Sequence, residues 1–416
     1  MLACILAAIF AGWLAPARPA AAQEAPVEQR VLVQFAPGTP GEVREARIAQ
    51  MRGELIQWMP QINVAEVRAP GDLLWVASEM AGPDITFLEP DLPVGAAYLP
   101  TDPDFADPAR SYGFDHIQAQ AAWELTTGSA EVLIAVVDSG IALTHPEFAG
   151  RLVQGYDFVN EDDFPEDETG HGTHVAGIIA AGMDNGQGVA GVCAGCRLLP
   201  VKVLNSANQG AWSDLAQGIL YAADNGARII NLSLGSPTPS QTLEAAIRYA
   251  QQRGALIIAA AGNYGATMPF YPAALDGVVA VGATTMQESR WIKSNYGAYL
   301  DLVAPGDLIY STYHLSDNTY GGYTYLSGTS MATPFASGLA GLLLSLHPTL
   351  TAAELRAALA AGADDLGAPG WDPEYGHGRL NAYRSLTTPL ELLAIADEGE
   401  TAAGAKRLYL PTVRSR

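Results

Sequence analysis

The chain has 416 residues, 49% of them hydrophobic, which exceeds what one ordinary domain needs and allows a large apolar core. Its formal net charge is −22, and its only lysines are Lys202, Lys293 and Lys406. It therefore lacks the clustered cations that bind nucleic-acid phosphates, whereas an acidic surface suits solubility and cation binding.

The first segment, Leu2 to Leu14, is apolar but too short to span a membrane. The small residues Ala20 and Ala22 follow it, and no Lys or Arg precedes it. It reads as an export signal, residues 1–22, with cleavage before Gln23 and an extracellular destination. Cys4 falls within it. The remaining cysteines form Cys193-Ala194-Gly195-Cys196, a spacing that favours a small disulfide loop in an exported chain. Zinc is not expected, because no second Cys or Cys/His pair accompanies them.

Residues 23–98 read as a small α+β domain. Val31–Phe35, Ile62–Val67 and Ile85–Leu88 are its expected strands, and Glu42–Met51 is its expected helix. A linker rich in Pro and Asp follows from Leu99 to Pro108. The pattern then changes. Val132–Val137, Arg197–Val203, Ala227–Leu232 and Ala255–Ala260 are apolar runs of the kind expected for strands covered on both faces. Helical stretches alternate with them at His171–Ala181, Ala211–Asn225 and Ser240–Arg253. The expected fold class is therefore α/β, a mostly parallel sheet between helices. Thr329–Leu346 is apolar almost all round and reads as a buried helix. Thr351–Ala361 reads as a surface helix, with Thr351 and Glu354 forming a capping box. Residues 387–416 form a tail with no assignable role.

Three segments carry chemistry. Asp138 ends an apolar strand in Val136-Val137-Asp138-Ser139-Gly140. His171 opens a helix in Gly170-His171-Gly172-Thr173-His174. Ser330 starts the buried helix in Ser327-Gly328-Thr329-Ser330-Met331-Ala332. A Ser hydroxyl is a weak nucleophile until a base takes its proton. An imidazole is such a base near neutral pH, and a carboxylate fixes its tautomer. All three lie where open α/β sheets form ligand crevices, beyond the strand carboxyl ends. The Ser segment lacks the second Gly of a Gly-x-Ser-x-Gly elbow, which disfavours a lipase. His174 belongs to no His-Glu-x-x-His metal helix and reads as a core residue. His145 and His377 read as structural.

These three segments resemble the signature blocks of the subtilase family, most closely its thermitase-like members, over roughly Asp102 to Leu386. The resemblance implies a three-layer subtilisin-like catalytic domain, residues 99–386, preceded by an inhibitory pro-domain at 23–98. It implies a secreted serine endopeptidase, made as a self-processing zymogen, that cleaves proteins or peptides through an acyl-enzyme. Asp138, His171 and Ser330 would be the triad, and Asn263 would join the Ser330 N–H in the oxyanion hole. Ser233-Leu234-Gly235 and Asn208-Gln209-Gly210 would flank an extended substrate, with Phe270 near the pocket floor. Phe335 departs from the family's usual His, which implies a packing change only.

The resemblance also implies structural calcium. Asp102, Glu147 and Asn185 match one site, together with carbonyls of the 184–189 loop; Glu147 stands where Asp is usual. Asp157, Asp162 and Glu166 match a second site. The expected partners are substrates and the chain's own pro-domain. Neither nucleic acid nor stable membrane association is expected, and the protein is expected to be a monomer.

Overall fold

A computed structural model describes residues 28–70, 84–91, 99–314 and 321–388. The export segment with Cys4, the tail beyond 388 and residues 92–98 before the linker lie outside these. The described residues divide into two compact units, one within 28–91 and the other within 99–388.

In the first unit, β1 (Glu28–Phe35), β2 (Glu54–Met59), β3 (Val64–Pro70) and β4 (Ile85–Pro90) form an antiparallel sheet in the order β2-β3-β1-β4. Helix α1 (Gly41–Gln50) contributes Ile48 to a small core with Val31, Val33, Phe35, Ala65 and Val67. Strand β2 was not expected. Leu55 and Ile56 of Glu-Leu-Ile-Gln-Trp-Met are both exposed, so no alternation marks it, and pairing with β3 defines it.

In the second unit, α2 (Pro108–His116) and α3 (Ala119–Trp123) precede β5 (Leu133–Asp138). Then come β6 (Tyr156–Asp157), α4 (His171–Ala180), β7 (Arg197–Lys202), α5 (Trp212–Asp224), β8 (Ile229–Leu232), α6 (Gln241–Gln252) and β9 (Leu256–Ala260). Strands β10 (Val278–Thr284) and β11 (Leu302–Pro305) complete a parallel sheet of order β11-β10-β9-β8-β5-β7-β6. A hairpin, β12 (Ile309–Thr312) with β13 (Tyr323–Leu326), leads into α7 (Thr329–Leu346), α8 (Ala352–Gly362) and α9 (Ala382–Thr387).

The apolar runs are continuous because both sheet faces are buried. Along β5, Ile134 and Val136 enter the core shared with α4 and α7, whereas Ala135 and Val137 enter the core shared with α5 and α6. This is the three-layer arrangement. Helix α7 is apolar and long enough to cross a membrane, but it is the buried core of this domain. Phe335, on α7, is fully buried with its ring 5.2 Å from that of Phe114. Thr351 and Glu354 form the expected capping box on α8. Strands β10 and β11 went unforeseen. Val-Val-Ala-Val-Gly-Ala-Thr and Leu-Val-Ala-Pro carry little period-2 signal, and their places come from parallel pairing with β9 and each other.

The sheet order reverses about β5, with β7 on one side and β8 on the other. A crevice therefore opens at the carboxyl ends of these strands.

Candidate active site

A cleft of about 650 Å³ occupies that crevice, lined by His171, Asn208, Gln209, Gly210, Ser233, Leu234, Gly235, Asn263, Phe270 and Ser330. Every substrate-binding candidate and three of the four catalytic candidates face one space. The fourth, Asp138, is fully buried beneath it at the end of β5.

Asp138 Oδ1 lies 2.7 Å from His171 Nδ1 and accepts the Ser139 N–H at 2.7 Å. The carboxylate thus holds the proton on Nδ1 and leaves the Nε2 lone pair free to act as base. His171 is the first residue of α4, behind Gly170 in a left-handed conformation (φ 82°). A Cβ on Gly170 would meet the Tyr313 ring at 2.3 Å, so both conformation and space require glycine.

Ser330 is the second residue of α7, in the first helical turn, where backbone N–H groups lack intrahelical partners and can face a developing oxyanion. Pro334 has no N–H to offer the Ser330 carbonyl four residues earlier. The Ser233 hydroxyl satisfies that carbonyl instead, at 2.9 Å. In return Ser330 Oγ donates to the Ser233 carbonyl at 3.0 Å. The Ser330 hydroxyl therefore rests on the Ser233 carbonyl and not on His171.

Asn263 sits past the end of β9. Its Oδ1 accepts both the Thr329 N–H and the Thr329 hydroxyl, each at 2.9 Å. This fixes the amide so that the NH₂ group faces the cleft. Thr329, which the sequence analysis did not single out, is therefore the residue that orients this donor. Its motif position next to Ser330 was the available signal.

Burial alone would lower the pKa of His171, but the charge and hydrogen bond of Asp138, with the charge of Asp167, raise it above its ordinary 6.5. Catalysis needs the neutral imidazole. As pH falls through the raised pKa, the base is protonated and activity is lost. The acid limb of kcat/KM is expected to have its midpoint above 6.5, which a pH–rate profile on a peptide anilide measures. A midpoint below that value would contradict the pairing. His174 differs: it is buried with Nε2 3.0 Å from the Ile309 carbonyl, and burial pushes its pKa down to about 3. It is a neutral core tie, as expected, and His145, with Nε2 3.0 Å from the Gly322 carbonyl, is likewise structural.

The Phe270 ring is inserted between the two pocket walls. A Cβ on Gly235 would meet it at 2.7 Å and one on Gly262 at 2.8 Å. The ring is 8% exposed and points inward.

Residues 129–378 match the subtilase family. The chain belongs to that family. It is 43% identical to thermitase of Thermoactinomyces vulgaris over 70% of this chain and 99% of that protein. It is 42% identical to a thermophilic serine proteinase of Bacillus sp. strain AK1, over 73% of each chain. A solved protease from Pseudoalteromonas arctica matches 70% of this subtilase and 99% of its own chain, with a TM-score of 0.63 and 29% identity. This subtilase is a subtilisin-type serine endopeptidase, and its three-layer α/β fold is that of the family.

Away from the cleft, Asp102, Glu147 and Asn185 converge on one loop. Asp102 accepts the Asp184 and Asn185 N–H groups at 2.8 and 3.0 Å. Glu147 accepts from Asn185 Nδ2 at 2.7 Å, Tyr323 Oη at 2.8 Å and Val189 N at 3.1 Å. Both carboxylates are buried and neither is in an ion pair among the described residues. Burial raises the Glu147 pKa, as does the charge of Asp102. Asp157, Asp162 and Glu166 instead each accept backbone N–H groups, from Val159 and Asn160, from Phe164 and from Leu143 respectively. Among the described residues no three acidic, His or Cys side chains form a metal-holding group. An ion on the 184–189 loop would therefore draw on Asn185 and backbone carbonyls besides the two carboxylates. Cys193 and Cys196 are joined in a buried disulfide.

Proposed function

We propose that this subtilase is a secreted endopeptidase, made as a self-processing zymogen, that cleaves protein chains after small or medium apolar residues. The observation that carries the reading is the cleft itself. It sets Ser330, His171 over buried Asp138, and Asn263 around a pocket floored by Phe270. Ser330 attacks the scissile carbonyl while His171 takes its proton. Asn263 and the Ser330 N–H receive the oxyanion, the amine leaves with the His171 proton, and water repeats the sequence. The substrate would lie extended between Asn208–Gly210 and Ser233–Gly235, pairing with both backbones. Residues 23–98 would serve as intramolecular inhibitor, a role supported by the independent core of that unit. The mature enzyme would act as a monomer. A fluorophosphonate probe and a casein plate test the reading: an esterase takes the label but leaves casein intact, and an inactive scaffold does neither.

Specificity follows from the pocket walls. The segments 233–235, 260–262 and 270–273 carry no charge, so no carboxylate awaits Arg or Lys. With the Phe270 ring between Gly235 and Gly262, Ala, Leu or Met should fit better than Phe or Tyr. Phe270→Gly is expected to move preference toward Phe and Tyr by roughly 10- to 200-fold in relative kcat/KM, the range for one hydrophobic pocket contact. A peptide library on both proteins measures it, and an unchanged profile counts against the ring as the floor.

Calcium on the 184–189 loop is part of the proposal. Neither buried carboxylate is in an ion pair among the described residues, although Arg151, which donates to the Glu147 backbone carbonyl, lies near enough for their charges to interact, and both have oxygen lone pairs beyond the hydrogen bonds they accept. An ion there would neutralise them and tie Asp102 to Glu147. An ion at 100 times its Kd stabilises the native state by about 2.7 kcal/mol. EDTA is therefore expected to lower the melting temperature by several degrees and to speed autolysis. A melting curve unchanged by chelation removes the ion from the account.

A further inference from the structure

Asp167 lies four residues before His171 and plays no part in the triad as described, yet it is only 4% exposed. Its Oδ1 accepts the Thr169 and Gly170 N–H groups, both at 2.9 Å, and the Ser139 hydroxyl at 2.8 Å. Its Oδ2 accepts the Thr173 N–H at 2.9 Å and the Thr173 hydroxyl at 2.6 Å. The reason lies in Gly170. As the residue before α4 it has no side chain with which to cap the helix, and a Cβ there would strike Tyr313. The capping acceptor must come from elsewhere, and Asp167 supplies it as a charged one, at the end of the helix where negative charge is favoured.

The same carboxylate reaches β5. Ser139, which donates to Asp167, accepts the Gly172 N–H through its own oxygen at 2.9 Å, while its backbone N–H donates to Asp138 Oδ1. Asp167 and Ser139 thus clamp the residues on both sides of His171 to the residue after Asp138.

We infer that Asp167 is a positioning residue of the triad, which holds His171 in register with Asp138 and offsets the positive end of α4 beneath the imidazole. Other titratable groups surround the helix start. They are Asp138 from β5, Glu166 and Glu168 on either side of Asp167, His174 on α4, Lys202 from β7 at 3.7 Å from Glu168, and Tyr313 and His314 packed over Gly170; the charge of Asp167 helps raise the Glu166 pKa, after burial. Among these, Asp138 and Asp167 are the charges that raise the His171 pKa.

The test compares wild type, Asp167→Asn and Ser139→Ala. It measures kcat and KM on a peptide anilide across pH, the melting temperature, and the His171 imidazole titration by NMR in the Ser330→Ala background. Asp167→Asn keeps the shape but removes the charge and turns an NH₂ group toward backbone donors. It is expected to lower plateau kcat on the order of 10- to 100-fold, since small misplacements of a catalytic group cost that much, with KM little changed. Its acid limb and its His171 titration should both move to lower pH. Ser139→Ala keeps the charge and cuts the clamp, so kcat should fall while the acid limb stays in place. An Asp167→Asn protein that melts lower but keeps plateau kcat and acid limb would show a cap for the helix alone and overturn the inference. Should Asp167→Asn not fold, Ser139→Ala and Thr173→Ala decide: wild-type kcat in both overturns it, and a lowered kcat in folded protein supports it.

Discussion

Replacing Ser330 by Ala is expected to abolish nearly all peptide hydrolysis and, in the full chain, to leave residues 23–98 attached. In the proposed mechanism the Ser330 hydroxyl, which the Ser233 carbonyl holds in the resting state, is the attacking atom. Because the triad acts as a unit, His171→Ala should cost about as much, and the double change little more. The loss, roughly 10⁶-fold in kcat, is a magnitude carried over from subtilisin itself. Both variants should keep residual turnover above the uncatalysed rate, since Asn263 and the Ser330 N–H still bind the oxyanion. Steady-state kinetics on a peptide anilide and intact mass of the purified chain read the two effects separately. Near-normal hydrolysis by Ser330→Ala would sink the mechanism. Normal processing of that variant in a protease-free host would sink only self-cleavage.

The second large effect belongs to Asn263. Its NH₂ group is aimed into the cleft because Thr329 occupies the amide oxygen through two hydrogen bonds of 2.9 Å. The donor is oriented before substrate arrives, so no reorganisation is needed as charge develops. Asn263→Ala is expected to lower kcat on the order of 100- to 1000-fold with KM little changed, again a figure known for subtilisin's own asparagine. Asn263→Asp should be at least as damaging, because it places a negative charge beside the oxyanion. A loss confined to KM would mean that Asn263 binds the ground state and not the transition state.

Much of this protein was legible from sequence because the signals were local. Val132–Val137 is an unbroken apolar run, so a strand buried on both faces followed, and Asp138 had to emerge at its end. Gly-His-Gly-Thr-His and Gly-Thr-Ser-Met-Ala placed His171 and Ser330 at helix starts, where the structure has them. The bounds of α7 and the capping box of α8 were read to the residue from apolarity and from the Thr351–Glu354 spacing.

What sequence left open depended on contacts distant along the chain. Strand β2 has no burial pattern of its own and exists by pairing with β3, and β10 and β11 are set by parallel register. That the Ser330 hydroxyl rests on Ser233, 97 residues away, follows from Pro334 freeing a carbonyl that Ser233 then occupies. Whether Phe270 faces in or out could not be read from its neighbours. Gly235 and Gly262 settle it, because two missing side chains leave the slot its ring fills. Asp167 looked like one more acid in an acidic loop until six donors, two each from Thr169 and Thr173 and one each from Gly170 and Ser139, were found around it. Periodicity and propensity report what a segment does alone. The direction of a ring, the partner of a hydroxyl and the burial of a charge are decided by whichever groups the fold brings alongside, since an unpaired buried polar group is too costly to leave unmet.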